Sequence, residues 1–336
     1  MFTGNKKAST MLILEVLREY TDENHYLTQQ QICDKLYDIY DLEMERKSVG
    51  SALTLLEDLG YDINKGQNGG WALLSRTFEI SEIAFLIDAI FSSKSIPGDR
   101  AVELSEKVSS CLSKYQRKSY DYLYKSTEVS RTSNSEVLLN IEIIDDAIKR
   151  NKWIGFKYMT FDDDGNMIGS YNEAIRKYSP CYLVNNFGRY YLIAYRATKN
   201  QIEIFRIDYM KDVIVIEDRV RVDPNTISDF QSYSSFTDYI NEHIYLYNGT
   251  TINAVLEIDH PSTLRYIYDW FGESAKFYKE GDRRLVKVKC NENALRIWAL
   301  QYGKHVKVVS PQTLVDSVKA AAQDIVDMYN SIENIS

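Results

Sequence analysis

The chain has 336 residues, more than one ordinary hydrophobic core holds, so two or three domains are expected. Apolar residues make up 44% and charged residues 26%, which excludes a disordered chain. A net charge of −8 argues against a general polyanion binder, because phosphate contacts need clustered Lys and Arg. No apolar run reaches the roughly 18 residues of a membrane span, and MFTGNKKAST lacks a signal peptide's apolar stretch, so the expected place is the cytoplasm, off the membrane. Cys33, Cys111, Cys181 and Cys290 form no paired CxxC, and with only four His no structural zinc site or other cofactor is expected. The average charge hides an inversion. Residues 1–75 carry 7 Lys/Arg against 12 Asp/Glu, whereas residues 149–211 carry 11 against 6.

Leu12, Ile13, Val16, Leu17 and Tyr20 recur at helical spacing and predict a first amphipathic helix. A second begins at Thr28, where Thr28 and Gln31 fit a capping box, with Ile32, Leu36 and Ile39 as its apolar face. The third runs from about Glu45 to Leu59 and stops at Gly60, with Val49, Ala52, Leu53 and Leu56 as its buried stripe. Tyr61-Asp62-Ile63, a Gly-rich tip from Gly66 to Gly70, and Trp71-Ala72-Leu73 predict a hairpin. Three short helices and a hairpin over residues 1–75 predict a winged helix-turn-helix, the bland alternative being a small three-helix interaction domain. In the first reading Arg46, Lys47, Ser48, Ser51 and Thr54 face the major groove of a double-stranded operator.

The stretch ERKSVGSALTLLEDLGYDI, ending in GGWALL, resembles the N-terminal domain of WYL-domain transcription regulators. Members often carry a helix reading Arg-Lys-Thr-Val-Tyr-Arg-Asp-Ile. Arg46, Lys47, Ser48 and Val49 match, but Gly50 and Ser51 stand where that pattern has Tyr and Arg. The missing arginine removes a strong phosphate or guanine contact, so weak monomer affinity is expected, offset by a homodimer that presents two recognition helices.

Residues 76–134 read as a helical connector and dimerisation segment, its apolar stripes serving as core or dimer contacts and not as a ligand site. Ile83, Leu86, Ile87, Ile90 and Phe91 mark one helix, and Ile96-Pro97-Gly98 breaks the chain. Leu104, Val108 and Leu112 mark a second helix, from about Arg100 to Gln116. Ser130 to Ser135 (SRTSNS) reads as a polar linker.

Within residues 135–225 a helix at about Val137–Asn151 precedes alternating positions Trp153 to Tyr158. Asp162-Asp163-Asp164-Gly165 reads as a hairpin turn, since the bidentate Glu of a calcium loop is missing. Further strands are expected at about Ile175–Tyr178, Cys181–Val184, Arg189–Ala197 and Gln201–Ile207, and helix then short strands predicts a small Sm-like barrel. Alternation puts Arg189, Tyr191, Ile193 and Tyr195 on one face, and Tyr190, Leu192, Ala194 and Arg196 on the other. The second face is the better core candidate, so Tyr191 is expected to be the more exposed.

The string RKYSPCYLVNNFGRYYLIAYRATKNQIEIFRID resembles the WYL domain through Pro180, Leu183, Gly188, Arg189, Tyr191, Leu192, Tyr195, Phe205, Arg206 and Asp208. Tyr190 replaces the naming Trp, and Tyr209 replaces a frequent second Arg. The resemblance implies a sensing surface at Tyr158, Arg176, Tyr191 and Arg206, and charge alone adds Lys177 and Arg189. Arginine's planar fork suits phosphate and tyrosine adds a stacking face, so the implied ligand is single-stranded nucleic acid or a nucleotide. The competing structural reading has Arg206 paired with Asp208 or another acid and the tyrosines as filling of a small barrel.

Residues 226–336 alternate strands at Thr251–Ile258, Lys276–Lys279, Arg284–Cys290 and Val306–Val309 with helices at Pro261–Phe271 and Ala294–Tyr302. A last helix starts at Pro311. This order resembles the WCX extension of WYL proteins, which makes the whole an α+β multidomain chain, and Trp270, Phe271 and Trp298 read as core. No GxSxG, Walker A, HExxH or GxGxxG string occurs, and the neighbouring acid–His pair Asp259-His260 is explained as well by a turn, so no enzyme is expected. The combined reading is a homodimeric transcription regulator whose central domain senses a nucleic-acid ligand, with DNA-damage or phage-defence genes as what the resemblance implies. The alternative is an accessory nucleic-acid-binding protein that modulates a defence nuclease.

Overall fold

The computed structural model describes residues 8–66, 68–118, 131–169, 174–247 and 249–332. Gln67 in the hairpin tip and Ser130 at the start of the linker lie outside the described residues. Two compact units divide the chain, Met1–Ser135 and Glu136–Ser336.

In the first unit three helices, α1 (Ser9–Tyr20), α2 (Gln29–Tyr40) and α3 (Arg46–Asp58), share one core with the hairpin β1 (Ile63–Lys65) and β2 (Trp71–Leu73). The Thr28 hydroxyl accepts from the Gln31 N–H while the Gln31 side chain accepts from the Thr28 N–H, satisfying two donors that would otherwise be orphaned at the start of α2. The α2 stripe differs from the expected one. Cys33 is buried beside Ile32 and Leu36, whereas Ile39 is 45% exposed and Tyr40 packs on the core in its place. Gly70 lets the hairpin close over Tyr26, since a Cβ there would stand 2.8 Å from the Tyr26 Cβ.

Three more helices follow, α4 (Ile80–Ser92), α5 (Gly98–Ser109) and α6 (Lys114–Lys118). The second connector helix is therefore two pieces instead of one, broken at Ser110–Ser113, and α5 buries its small residues Ala101, Ser105 and Ser109. Leu104 and Val108 stay half-buried beside them. The polar segment after residue 130 is fastened: the Arg131 guanidinium donates to the carbonyls of Phe91, Ser93 and Ile96, closing the C-terminal end of α4.

The second unit opens with α7 (Val137–Lys149), which packs on a curled antiparallel sheet. Its strands are β3 (Lys152–Phe161), β4 (Met167–Gly169), β5 (Arg176–Asn186), β6 (Arg189–Arg196), β7 (Gln201–Arg206) and β8 (Met210–Val220). The path runs β4-β3-β5-β6-β7, with β8 on β3. The Asp162 carboxylate accepts from the N–H groups of Asp164 and Asn166, which makes the acidic run a β3–β4 turn. The two strands expected around Pro180 are one, β5, with an irregularity between Pro180 and Tyr182. There the Arg221 guanidinium takes up the carbonyls of Pro180 and Cys181 that the ladder leaves.

Both faces of β6 are covered, against expectation. Leu192 and Ala194 join the core under α7, while Ile193, on the Tyr191 face, is equally buried against Cys181, Ile202, Ile227 and Tyr239. The cover comes from two short helices, α8 (Ser228–Gln231) and α9 (Phe236–Glu242), whose rings Phe230 and Phe236 pack on Tyr182.

The remainder follows a β-α-β-β-α-β order through β9 (Thr251–Ile258), α10 (Leu264–Phe271), β10 (Lys276–Glu280), β11 (Arg283–Asn291), α11 (Glu292–Gln301) and β12 (Val306–Ser310). The sheet order is β10-β11-β9-β12, and one face is buried under Ile267, Phe271, Leu295 and Trp298. Trp270 lies beside that core and also meets Phe187 of the β5–β6 turn and Tyr245. A final helix, α12 (Gln312–Ile332), packs its first half on this core. Burial pushes the thiols of Cys181 and Cys290 up to about 12, so neither is a reactive thiolate near neutrality.

Candidate nucleic-acid interfaces

The first interface is the outer face of α3. Arg46, Lys47, Ser48, Ser51 and Thr54 are all exposed there, while Val49, Ala52, Leu53 and Leu56 anchor the opposite face. The Ser51 hydroxyl donates to the Lys47 carbonyl at 3.2 Å and the Thr54 hydroxyl to the Gly50 carbonyl at 3.3 Å. Each hydroxyl proton is thus engaged by the helix, and each oxygen is left as an outward acceptor for a base amino group. A Cβ at Gly50 would lie 2.9 Å from Gln29 Nε2, the movable end of a side chain at the start of α2. The acidic balance of this segment is also local. Asp34, Asp38, Asp41, Glu43 and Glu45 gather around one depression beside Ser48, at the N-terminal end of α3.

The second interface lies at one end of the curled sheet. Tyr191 on β6 stands directly opposite Arg206 on β7, so both side chains leave the sheet on one face. Arg206 donates through Nε and one terminal nitrogen to Asp208, at 3.1 and 2.6 Å. Arg189 reaches the same carboxylate at 3.0 Å, and Asp208 is only 1% exposed. Two arginines from neighbouring strands are therefore tied to one buried charge in the following turn. The Tyr158 hydroxyl accepts from the Arg206 N–H, and the Arg176 guanidinium lies 5.3 Å from the Tyr158 ring centre. Tyr209, standing where a second arginine is frequent, presents its ring 4.0 Å from the Arg206 guanidinium and holds it from the other side.

Electrostatics follow the geometry. Burial raises the Tyr158 and Tyr191 hydroxyls, so both remain protonated donors at neutral pH. Burial would lower the Arg206 guanidinium, but the Asp208 hydrogen bonds and charge outweigh it and raise it. Arg176, Arg189 and Arg206 against Asp208 leave the cluster with two net positive charges. Lys177 does not join: it pairs across from Gly155, on the other face from Arg176, and is exposed. Of the six expected residues five converge. Asp208, which holds two of them, was not among the expected site residues, although it matches the WYL string, and its pairing with Arg206 is the one that the competing structural reading expects.

Acid–histidine pairs are placed differently from the sequence expectation. Asp259 meets His305 at 2.8 Å, while the His260 side chain turns to Ser262. In the first unit Asp22, 2% exposed, accepts from Ser113 at 2.5 Å and meets His25 at 2.6 Å, and His25 stacks on Tyr115. This cluster fastens α6 to the end of α1, together with Gln116 on Glu23 and Arg117 on Glu19. Among the described residues no group of His, Cys, Asp and Glu could hold a metal ion, and no helix is long and apolar enough to cross a membrane.

Two family models match the second unit. The family model of the WYL domain matches residues 140–215, and that of the WCX domain matches residues 250–326. The uncharacterized HTH-type transcriptional regulator YobV of Bacillus subtilis (strain 168) is 24% identical over 195 residues, which are 56% of this chain and 56% of that protein. The chain thus spans little more than half the length of that curated relative. Among solved structures, proteasome accessory factor B/C (PafBC) of Arthrobacter aurescens is 17% identical with a TM-score of 0.27, over 93% of this chain and 46% of its own. A CRISPR Cas-related protein is 13% identical with a TM-score of 0.37, over 97% of this chain and 84% of its own. The chain therefore carries a WYL domain over residues 140–215, followed by a WCX domain over residues 250–326.

Proposed function

We propose that this chain is a DNA-binding transcriptional regulator whose WYL domain takes a single-stranded nucleic acid or nucleotide and thereby alters operator binding. The observation that carries the reading is the cluster around Asp208, where Arg189 and Arg206 are held on a buried carboxylate beside Tyr158, Tyr191 and Arg176. Fixed guanidinium forks next to tyrosine faces suit a phosphate joined to a base. The relative named as an HTH-type transcriptional regulator supports the DNA-binding half. So does α3, which exposes Arg46, Lys47, Ser48, Ser51 and Thr54 ahead of the β1–β2 hairpin. In this reading residues 1–75 act as a winged helix-turn-helix, 76–134 as connector, 135–225 as an Sm-like sensing domain and 226–336 as the C-terminal extension.

The operator is double-stranded DNA read by a homodimer. Support for the dimer comes from α12. Beyond Val315 and Val318, which pack on the chain's own core, the spacing of three and four continues through Ala322, Ile325 and Tyr329, and Ile325 and Tyr329 are 46% and 64% exposed. Val326 and Met328 widen this stripe, while Asp316, Asp324 and Asp327 fall away from it. A second copy matches such a stripe, because nothing on it repels itself. Ligand binding that favours one spacing of the two α3 helices shifts operator affinity by its differential affinity for the two states.

A gel shift with the chain's own upstream DNA tests the first half: Arg46→Ala with Lys47→Ala should abolish a salt-sensitive shift, and no shift by the unaltered chain would sink it. Arg176→Ala with Arg206→Ala should abolish oligonucleotide binding with the fold intact, and unchanged affinity refutes the sensing assignment. Ile325→Asp should give a monomer in sedimentation.

A further inference from the structure

We propose that the open face of the β10-β11-β9-β12 sheet is a second binding surface for single-stranded nucleic acid, separate from the Asp208 cluster. Alternation puts Val286, Val288, Leu256 and Ala254 under the helices α10 and α11, so the intervening residues face outward. In the outward register Lys276 stands directly across from Lys287, Tyr278 across from Leu285, and Lys307 across from Glu257.

Other cations of this face are engaged. Arg283 makes two 3.0 Å hydrogen bonds to Glu257, and Lys289 lies 2.8 Å from Glu242. Lys276 and Lys287 are different: both are exposed, and neither belongs to an ion pair among the described residues. Two like charges set directly opposite one another weaken a sheet, so folding alone does not favour the pair. An anion laid between them removes the repulsion.

The ring beside them sets the class of that anion. Tyr278 is half-buried over Leu285, which is 2% exposed, and the Lys287 ammonium lies 5.0 Å from the Tyr278 ring centre. A tyrosine ring on a sheet flanked by two ammonium groups offers one stacking platform and two phosphate contacts. That combination suits a nucleotide chain whose bases are unstacked, since a duplex keeps its base faces inside. Four strands at about 4.8 Å spacing span roughly 14 Å, room for two or three nucleotides. The surface shares its ligand class with the proposed sensing site but rests on its own residues.

The test uses the full chain and a fluorescein-labelled 20-nucleotide oligothymidylate, with binding followed by anisotropy at several salt concentrations. Lys276→Gln with Lys287→Gln should weaken binding about tenfold and flatten the salt slope by about 1.4, as two lost phosphate contacts require. Tyr278→Ala should weaken binding by a similar factor with the slope unchanged. The double variant should unfold at an unchanged or higher denaturant concentration, because a repulsion has gone. Unchanged affinity and slope in the double lysine variant overturn the proposal. So does a 20-base-pair duplex bound as tightly as the single strand and insensitive to Tyr278→Ala. A change in sedimentation upon lysine replacement assigns the face to a second copy and overturns it too. An Arg206→Ala arm separates the two surfaces: loss there with no loss in the lysine variant leaves only the WYL site, and the reverse leaves only the sheet.

Discussion

Asp208 offers the sharpest test of how the WYL site is held together. Its carboxylate receives three hydrogen bonds, at 3.0, 3.1 and 2.6 Å, from two guanidinium groups that are 25% and 24% exposed. In Asp208→Asn one charge disappears and an amide N–H points at a guanidinium donor. Removing one partner of a fully buried pair costs about 3–5 kcal/mol; a quarter of each guanidinium reaches water, so about 2–3 kcal/mol is expected. With a urea dependence of roughly 2–3 kcal/mol/M, the midpoint of the second unit should fall by about 1 M. A double-mutant cycle with Arg206→Met isolates the pair. The second substitution should cost far less in the Asp208→Asn background, giving a coupling of at least ~1 kcal/mol. Costs that add to within ~0.4 kcal/mol refute the claim that Asp208 holds Arg206.

Ser113→Ala removes the hydroxyl that serves buried Asp22 and should cost about 1–3 kcal/mol in the first unit, measured by urea unfolding; no change means that α6 is not fastened there. Burial works to raise the Asp22 carboxyl, but hydrogen bonds from Ser113, His25 and the Asn24 N–H hold it below the ordinary aspartate value. Its contribution is therefore complete above about pH 4 and is lost as pH falls through the lower native value; Asp22→Asn should flatten that part of the stability–pH profile. His243, 4% exposed, has its pKa lowered by burial, so the second unit should lose stability as pH falls below about 6.5, and His243→Gln should blunt that loss in pH-dependent unfolding. Gly50→Ala should stabilise the first unit by up to about 1 kcal/mol, because only the movable end of Gln29 must yield; a clear loss shows that the close approach of α2 matters more than helix propensity.

Local chemistry was legible in the chain itself. The Thr28–Gln31 cap, the α3 stripe and the acidic β3–β4 turn each rest on interactions within a few residues, and all three appear where the pattern puts them. The string from Arg176 to Asp208 also brought four expected ligand residues near one another, because strands β5, β6 and β7 are consecutive neighbours, and Tyr158 joins them from β3, the neighbour of β5. Lys177 lies apart from the five because the pleat sends adjacent residues to opposite faces, which charge alone does not show.

Non-local choices were settled only in the folded chain. Nothing in the alternation of β6 says that α8 and α9 return to cover its Tyr191 face, and both faces of an amphipathic strand look alike until a later segment chooses one. The Asp22–Ser113 contact joins residues 91 positions apart, and the Arg189–Asp208 pair joins residues 19 apart. The Lys276–Lys287 opposition exists only because the β10–β11 register puts those two residues across from each other. Period, cap and turn are written in neighbouring side chains; register and the partner of a buried charge depend on how distant strands and helices meet.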